Sequence, residues 1–182
     1  MDGIMTILLT IVILVGVVTI IYIVNFNNLQ AYKIKINEAE SIIDDLLRKK
    51  YDNLLLIKDV IVEETDIDAK VFDELKKIKT MNISSFDFER KLTEINNLID
   101  KIKSDYENLN SDVRFNNYYT EIYECNEKLE ATKSFYNKYT NLLNKTIKKF
   151  PSNIIAFIHH IKVQTFFDGK DMFDDDINDF KL

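Results

Sequence analysis

An all-α fold is predicted by three observations. Turn residues are almost missing, apolar residues recur at helical spacing, and the breaks between periodic stretches carry helix-capping residues. Only 3 Gly and 1 Pro occur in 182 residues, too few for hairpin-rich β folds, and no two glycines lie close enough for a phosphate-binding loop. The rest, 46% apolar and 30% charged, suits long helices with few interruptions. The length allows one core of ordinary size with an appendage.

The first element is Ile4 to Val24, a run without charge, Asn, Gln or Pro. As a helix it would reach roughly 30 Å, the thickness of a bilayer's hydrocarbon core. A secretory signal peptide needs a basic leading segment and a small-residue cleavage site, whereas Met1-Asp2-Gly3 has no Lys or Arg. A transmembrane anchor is therefore expected, making this a single-pass protein of the cell membrane. No basic residue precedes the span, and Lys33 and Lys35 follow it. The positive-inside rule then puts the N-terminus outside and the helical domain in the cytoplasm.

The second zone, Asn25 to Phe167, is a balanced and heavily charged surface. The segment Asp168 to Leu182 carries six Asp against two Lys; with Asp2 it accounts for all but one of the −6 net charge. A nucleic-acid module would show a basic stripe, and none is present. Leu29, Ile36, Ala39, Ile43, Leu46, Leu54, Ile57 and Ile61 recur at three-and-four spacing and predict a first amphipathic helix. Phe88, Leu92, Ile95, Ile99, Ile102, Tyr106 and Leu109 predict a second. A third runs from Asp112 to Phe150 on Phe115, Tyr119, Ile122, Leu129, Tyr136, Leu143, Ile147 and Phe150. Its wider stripe suits packing between two neighbours.

Asp66-Ile67-Asp68 ends the first helix and caps a short one reaching about Thr80. Ser84 or Ser85 caps the next, Asn110-Ser111-Asp112 makes a turn, and Pro151 stops the last long helix. The expected architecture is a single transmembrane helix followed by an up-and-down antiparallel bundle of three long helices plus one short helix, coiled-coil-like in its spacing. Its three zones are residues 4–24, 25–167 and 168–182, the last an acidic, disordered tail.

Signals for chemistry are weak. His159 and His160 are adjacent, so a helix points them about 100° apart and they cannot share a metal. Asp174-Asp175-Asp176 lacks the glycine and the final Glu of a calcium loop. Cys125, the single cysteine, has no convincing basic neighbour to activate it. No catalytic, cofactor-binding or metal-ligating residue is expected, and the chain reads as a non-enzyme without a cofactor.

Two stretches are less generic. One is Asn37-Glu38-Ala39-Glu40-Ser41-Ile42-Ile43-Asp44 with Leu47-Arg48-Lys49-Lys50-Tyr51-Asp52. The other is Ser134-Phe135-Tyr136-Asn137, then Phe150-Pro151-Ser152-Asn153-Ile154-Ile155-Ala156, closed by Phe166-Phe167. With the N-terminal span they resemble the LemA family of bacterial membrane-anchored helical proteins. The resemblance implies one span and a long antiparallel bundle, with no established catalytic activity or cofactor. The chain departs from the family's pattern at Glu40, where Trp is usual, and at Leu55, where a proline is usual. It also lacks the glycines usual near Phe157 and His160. Without that proline the first long helix should be more regular.

The expected role is a membrane-anchored, non-enzymatic interaction or scaffold protein of the bacterial envelope. The alternative is a membrane-tethered sensor or regulator of a partner protease or kinase. Its partners would be the membrane, through the N-terminal helix, and a protein partner or a second copy, with no nucleic acid. The candidate partner surface is the apolar segment after Pro151: Ile154, Ile155, Phe157, Ile158, Phe166 and Phe167. With three long helices that surface falls at the end of the bundle far from the bilayer, because the short helix looks too short to span it.

Overall fold

The computed structural model describes residues 2–78 and 83–167, and these are mostly helical with no strand among them. The expected tail at 168–182 and the end of the short helix at Thr80 lie outside the described residues. Five α-helices are present among those described: α1 (Asp2–Glu64), α2 (Asp73–Ile78), α3 (Ser85–Asp105), α4 (Val113–Ile147) and α5 (Ser152–Ile158). The apolar segment and the first amphipathic helix are one element, α1, of 63 residues, about 95 Å at the standard rise. Nothing breaks it at Leu55, as the missing proline predicts. Its first part averages a hydropathy of 3.1 over 18 residues and none of that stretch is buried, so it is a candidate membrane span. Thr10 and Thr19 donate to the carbonyls of Thr6 and Val15 at 2.9 and 2.8 Å, which removes their cost in an apolar medium.

The chain forms two compact units, one of Met1–Glu38 with Tyr136–Leu182 and one of Ala39–Phe135. In the second, α1 ends at Glu64, with the Thr65 hydroxyl donating back to Ile61 O at 2.6 Å, and Asp68 caps a 3-10 turn (Ala69–Phe72) by accepting from Lys70 N at 2.9 Å. The 3-10 turn and α2 bury Phe72, Leu75 and Ile78 and carry the chain back toward Asp44 and Tyr51. Ser84 Oγ then accepts from Asp87 N at 3.1 Å and starts α3. Contacts fix the direction of α3: Ser85 meets Asp44, and Asn108, just beyond α3, meets Glu64 O. It therefore runs parallel to α1. Asp112 Oδ1 accepts from Phe115 N at 2.8 Å and starts α4. That helix is antiparallel to both, with Arg114 on Glu63 and Glu64, Glu121 on Lys49, and Lys133 on Glu89. The order is up, down, up, down, and the short element completes the return.

The core of this unit is the α1 seam of Ala39, Ile43, Leu47, Leu54, Ile57 and Ile61. It faces Leu92, Ile95, Ile99 and Ile102 of α3 and Phe115, Ile122, Cys125 and Leu129 of α4. Leu47, not Leu46, is the buried residue of its pair. Lys50 lies in the same seam, only 3% exposed, with its ammonium 3.5 Å from the Thr93 hydroxyl. Burial pushes its pKa below the usual lysine value, and Glu89 pulls the other way. The unfolded chain thus holds this proton more tightly than the folded one, so stability rises as pH climbs toward 10.5. Lys50→Met is expected to raise the unfolding free energy by about 1–2 kcal/mol at neutral pH and to flatten that rise. Denaturant titrations of both proteins at neutral and alkaline pH check it.

Between α3 and α4, Tyr119 donates to Asp100 Oδ1 at 2.8 Å and carries Lys103 Nζ 3.8 Å from its ring centroid. Burial, then the Asp100 bond, pushes its phenol up to about 12. Its contribution is complete below an ordinary tyrosine pKa near 10 and is lost as pH rises through the folded value. In an absorbance titration the last phenol to ionise is expected to disappear in Tyr119→Phe, and a titration unchanged by the substitution would contradict the assignment.

Candidate functional site

The first unit contains most of the motif residues quoted for the second family stretch. α4 ends at Ile147, a turn through Pro151 follows, and α5 lies against α1 at Tyr22 to Leu29. Phe150, expected on the buried stripe of α4, is instead 80% exposed in that turn. Ser152, buried, donates to Asn25 Oδ1 at 2.6 Å, and Asn25 in turn donates to Ile21 O at 2.7 Å. His159 Nε2 and the Tyr22 hydroxyl share a hydrogen bond of 2.6 Å, and the His159 ring sits 4.4 Å from Phe26. Beneath these, Ile155 and Ala156 pack on Leu29, Ile36 and Leu143, with Tyr32, Tyr136, Tyr139, Ile147 and Ile161 around them.

This corrects the expected placement of the apolar segment. It sits beside the last turn of the apolar part of α1, not at the end remote from it. The cause is the parity of the helices: the 3-10 turn with α2 makes a full return, so α3 runs with α1 and α4 comes back.

The candidate partner residues separate into three kinds. Ile155 is 4% exposed and belongs to the core, so it offers no surface. Phe166 and Phe167 are half-buried, with Phe167 edge-on to Tyr136 at 6.2 Å. Ile154, Phe157 and Ile158 do face outward, at 50%, 81% and 57% exposure.

Two asparagines that lie outside the apolar periodicity, Asn144 and Asn137, hold the chain after α5. Asn144, 1% exposed, donates to Gln164 O at 2.7 Å and accepts from Gln164 N at 2.9 Å, pairing both backbone polar groups of one residue. Seven residues earlier, Asn137 Oδ1 accepts from Phe167 N at 2.8 Å, and Tyr136 donates to Thr165 O at 3.2 Å. The heptad separation of the two asparagines was a usable signal, since it puts both on one face of α4.

α5 ends in a Schellman closure. Ile161 N donates to Ala156 O at 2.9 Å and His160 N to Phe157 O at 3.2 Å, with His160 at φ 52°. That left-handed position favours glycine. His160→Gly is expected to stabilise the protein by about 1 kcal/mol, seen as a higher thermal midpoint.

In the second unit an open cleft of about 510 Å³ is lined by Asp44, Arg48, Tyr51, Asp52, Ile78, Ile83, Ser85 and Phe88. It takes in part of the other family motif. The Ser85 hydroxyl donates to Asp44 Oδ1 at 2.6 Å. The motif's Lys49 pairs with Glu121 of α4 at 3.1 Å, each holding the other's charge. Cys125 is buried, and burial pushes its thiol up, away from the reactive thiolate. Among the described residues no group of three or more His, Cys, Asp or Glu could hold a metal ion.

No curated protein and no solved structure matches the chain. The model of the LemA family matches residues 39–177, more than half of the sequence and both motif stretches apart from Asn37 and Glu38. The chain belongs to the LemA family.

Proposed function

We propose that this protein is a membrane-anchored, non-enzymatic interaction scaffold of the bacterial envelope, single-pass, with its helical domain on the cytoplasmic side. The observation that carries it is α1. Its leading part is apolar with none of the span buried, and the same unbroken helix supplies the seam on which α3 and α4 pack. An anchor joined to a charged bundle in this way presents that bundle at a fixed membrane address. The lack of a basic residue before the span and the two lysines after it support the orientation. The charged helical faces suit recognition of a protein partner or a second copy, and the motif residues read as packing and capping groups.

Proximity labelling in the native membrane, with the labelling enzyme fused at the C-terminus, tests this reading. The expected result is a reproducible set of cytoplasmic neighbours, lost when residues 2–24 are replaced by an unrelated span of opposite orientation. Labelling confined to the outer face overturns the orientation. A neighbour set no different from that of an unrelated tethered bundle overturns the scaffold role.

A further inference from the structure

α5 has two faces. Ser152, Ile155 and Ala156 turn inward, while Ile154, Phe157 and Ile158 turn outward, joined by Phe150 just before the helix. Four large apolar side chains exposed within nine residues form a patch, not a scatter. The inward face fixes where that patch lies. Ser152 is bonded to Asn25 and His159 to Tyr22, and Phe26 lies parallel to Tyr22 at 6.1 Å and tilted against His159 at 4.4 Å between ring centroids. Tyr22 to Asn25 is where the apolar run of α1 gives way to polar sequence, so a span at Ile4 to Val24 puts these rings at the level of the headgroups. The inward contacts thus set the patch beside the end of the span. Lys145, Lys148, Lys149 and Lys162, all exposed, flank it.

We propose that α5 with Phe150 is an interfacial membrane-docking element. The side chains of Phe150, Ile154, Phe157 and Ile158 enter the headgroup–acyl boundary of the bilayer that holds α1, and the flanking lysines face anionic headgroups. The occupant of the patch is the bilayer. A soluble partner does not fit as well, because the patch abuts the end of the span. The inference rests on the anchor reading, and the experiment separates the two.

The chain has no tryptophan, so single Trp substitutions report depth without background. Full-length Val12→Trp, Phe157→Trp and Ile34→Trp are reconstituted in phosphatidylcholine–phosphatidylglycerol vesicles carrying bromine on the acyl chains. Val12, Phe157 and Ile34 are all exposed, so none of the three disturbs packing. Ile34 lies eight residues past Phe26, about 12 Å further along α1. Emission from Val12→Trp and Phe157→Trp is expected to fall at least about twofold, and that from Ile34→Trp to change little. Quenching of Val12→Trp alone leaves the anchor standing and overturns the docking. Equal quenching of all three overturns it as well, since α5 would then have no special depth. Loss of quenching for Val12→Trp removes anchor and docking together. Shielding of Phe157→Trp that vanishes on dilution in the membrane assigns the patch to a second copy and overturns the lipid assignment.

Discussion

Asn144→Ala lowers the unfolding free energy by about 2–4 kcal/mol and releases the segment 161–167 from α4. The substitution removes two hydrogen bonds at once, 2.7 Å to Gln164 O and 2.9 Å from Gln164 N. Each neutral bond contributes about 0.5–1.5 kcal/mol net, and a polar group left without a partner costs about 1–3 kcal/mol more. Asn144 is 1% exposed, so water does not simply replace the amide. The remaining bonds, from Phe167 N to Asn137 and from Tyr136 to Thr165 O, lie at the far end of the segment and are expected to open with it. Hydrogen exchange reads the result directly, as lost protection of the Gln164 and Phe167 amides with α3 unchanged. Retained protection at Gln164 would show that the Asn144 pairing does not hold this segment.

Ile155→Ala is the second large effect, expected at about 2–4 kcal/mol from lost burial and a cavity among Leu29, Ile36 and Leu143. Phe157→Ser, two residues on, is expected to fall within about 0.5 kcal/mol of the parent, because Phe157 is 81% exposed. The pair isolates packing from hydrophobicity, since both residues look alike in the sequence. Thermal unfolding in detergent gives the two values, and limited proteolysis at Lys162 reports whether α5 has come loose. A Phe157→Ser variant as damaged as Ile155→Ala would mean that the outward face is covered by protein.

The helices and their caps were legible because each rests on local chemistry. Ser84, one of the two serines expected to cap α3, does so, the expected turn at Asn110-Ser111-Asp112 precedes α4, and Leu92, Ile95, Ile99 and Ile102 are all buried. Register within an aliphatic run was not legible. Leu46 and Leu47 are equally apolar, and only packing against α3 and α4 selects Leu47. Lys50 escaped notice because a charged side chain reads as surface, while its four-carbon stem can lie in a seam. The direction of α3 depended on reach. A dozen residues counted at α-helical rise fall short of the roughly 33 Å from Asp66 back to Asp44 along α1. The actual connection covers more length per residue, because it contains a 3-10 turn and non-helical residues. That miscount put the apolar segment at the wrong end, and with it most of the candidate site.

The bonds from Ser152 to Asn25 and from His159 to Tyr22 join residues 127 and 137 positions apart. During synthesis the apolar part of α1 leaves the ribosome first, and its companions along the exit turn are made more than a hundred residues later. Closing so long a loop carries an entropic cost that only the nearly complete bundle can offset. The collar around Tyr22 and Phe26 is therefore a late, post-insertion event, and any receptor or quality-control factor that reads this turn meets it bare on the nascent chain and covered on the finished one.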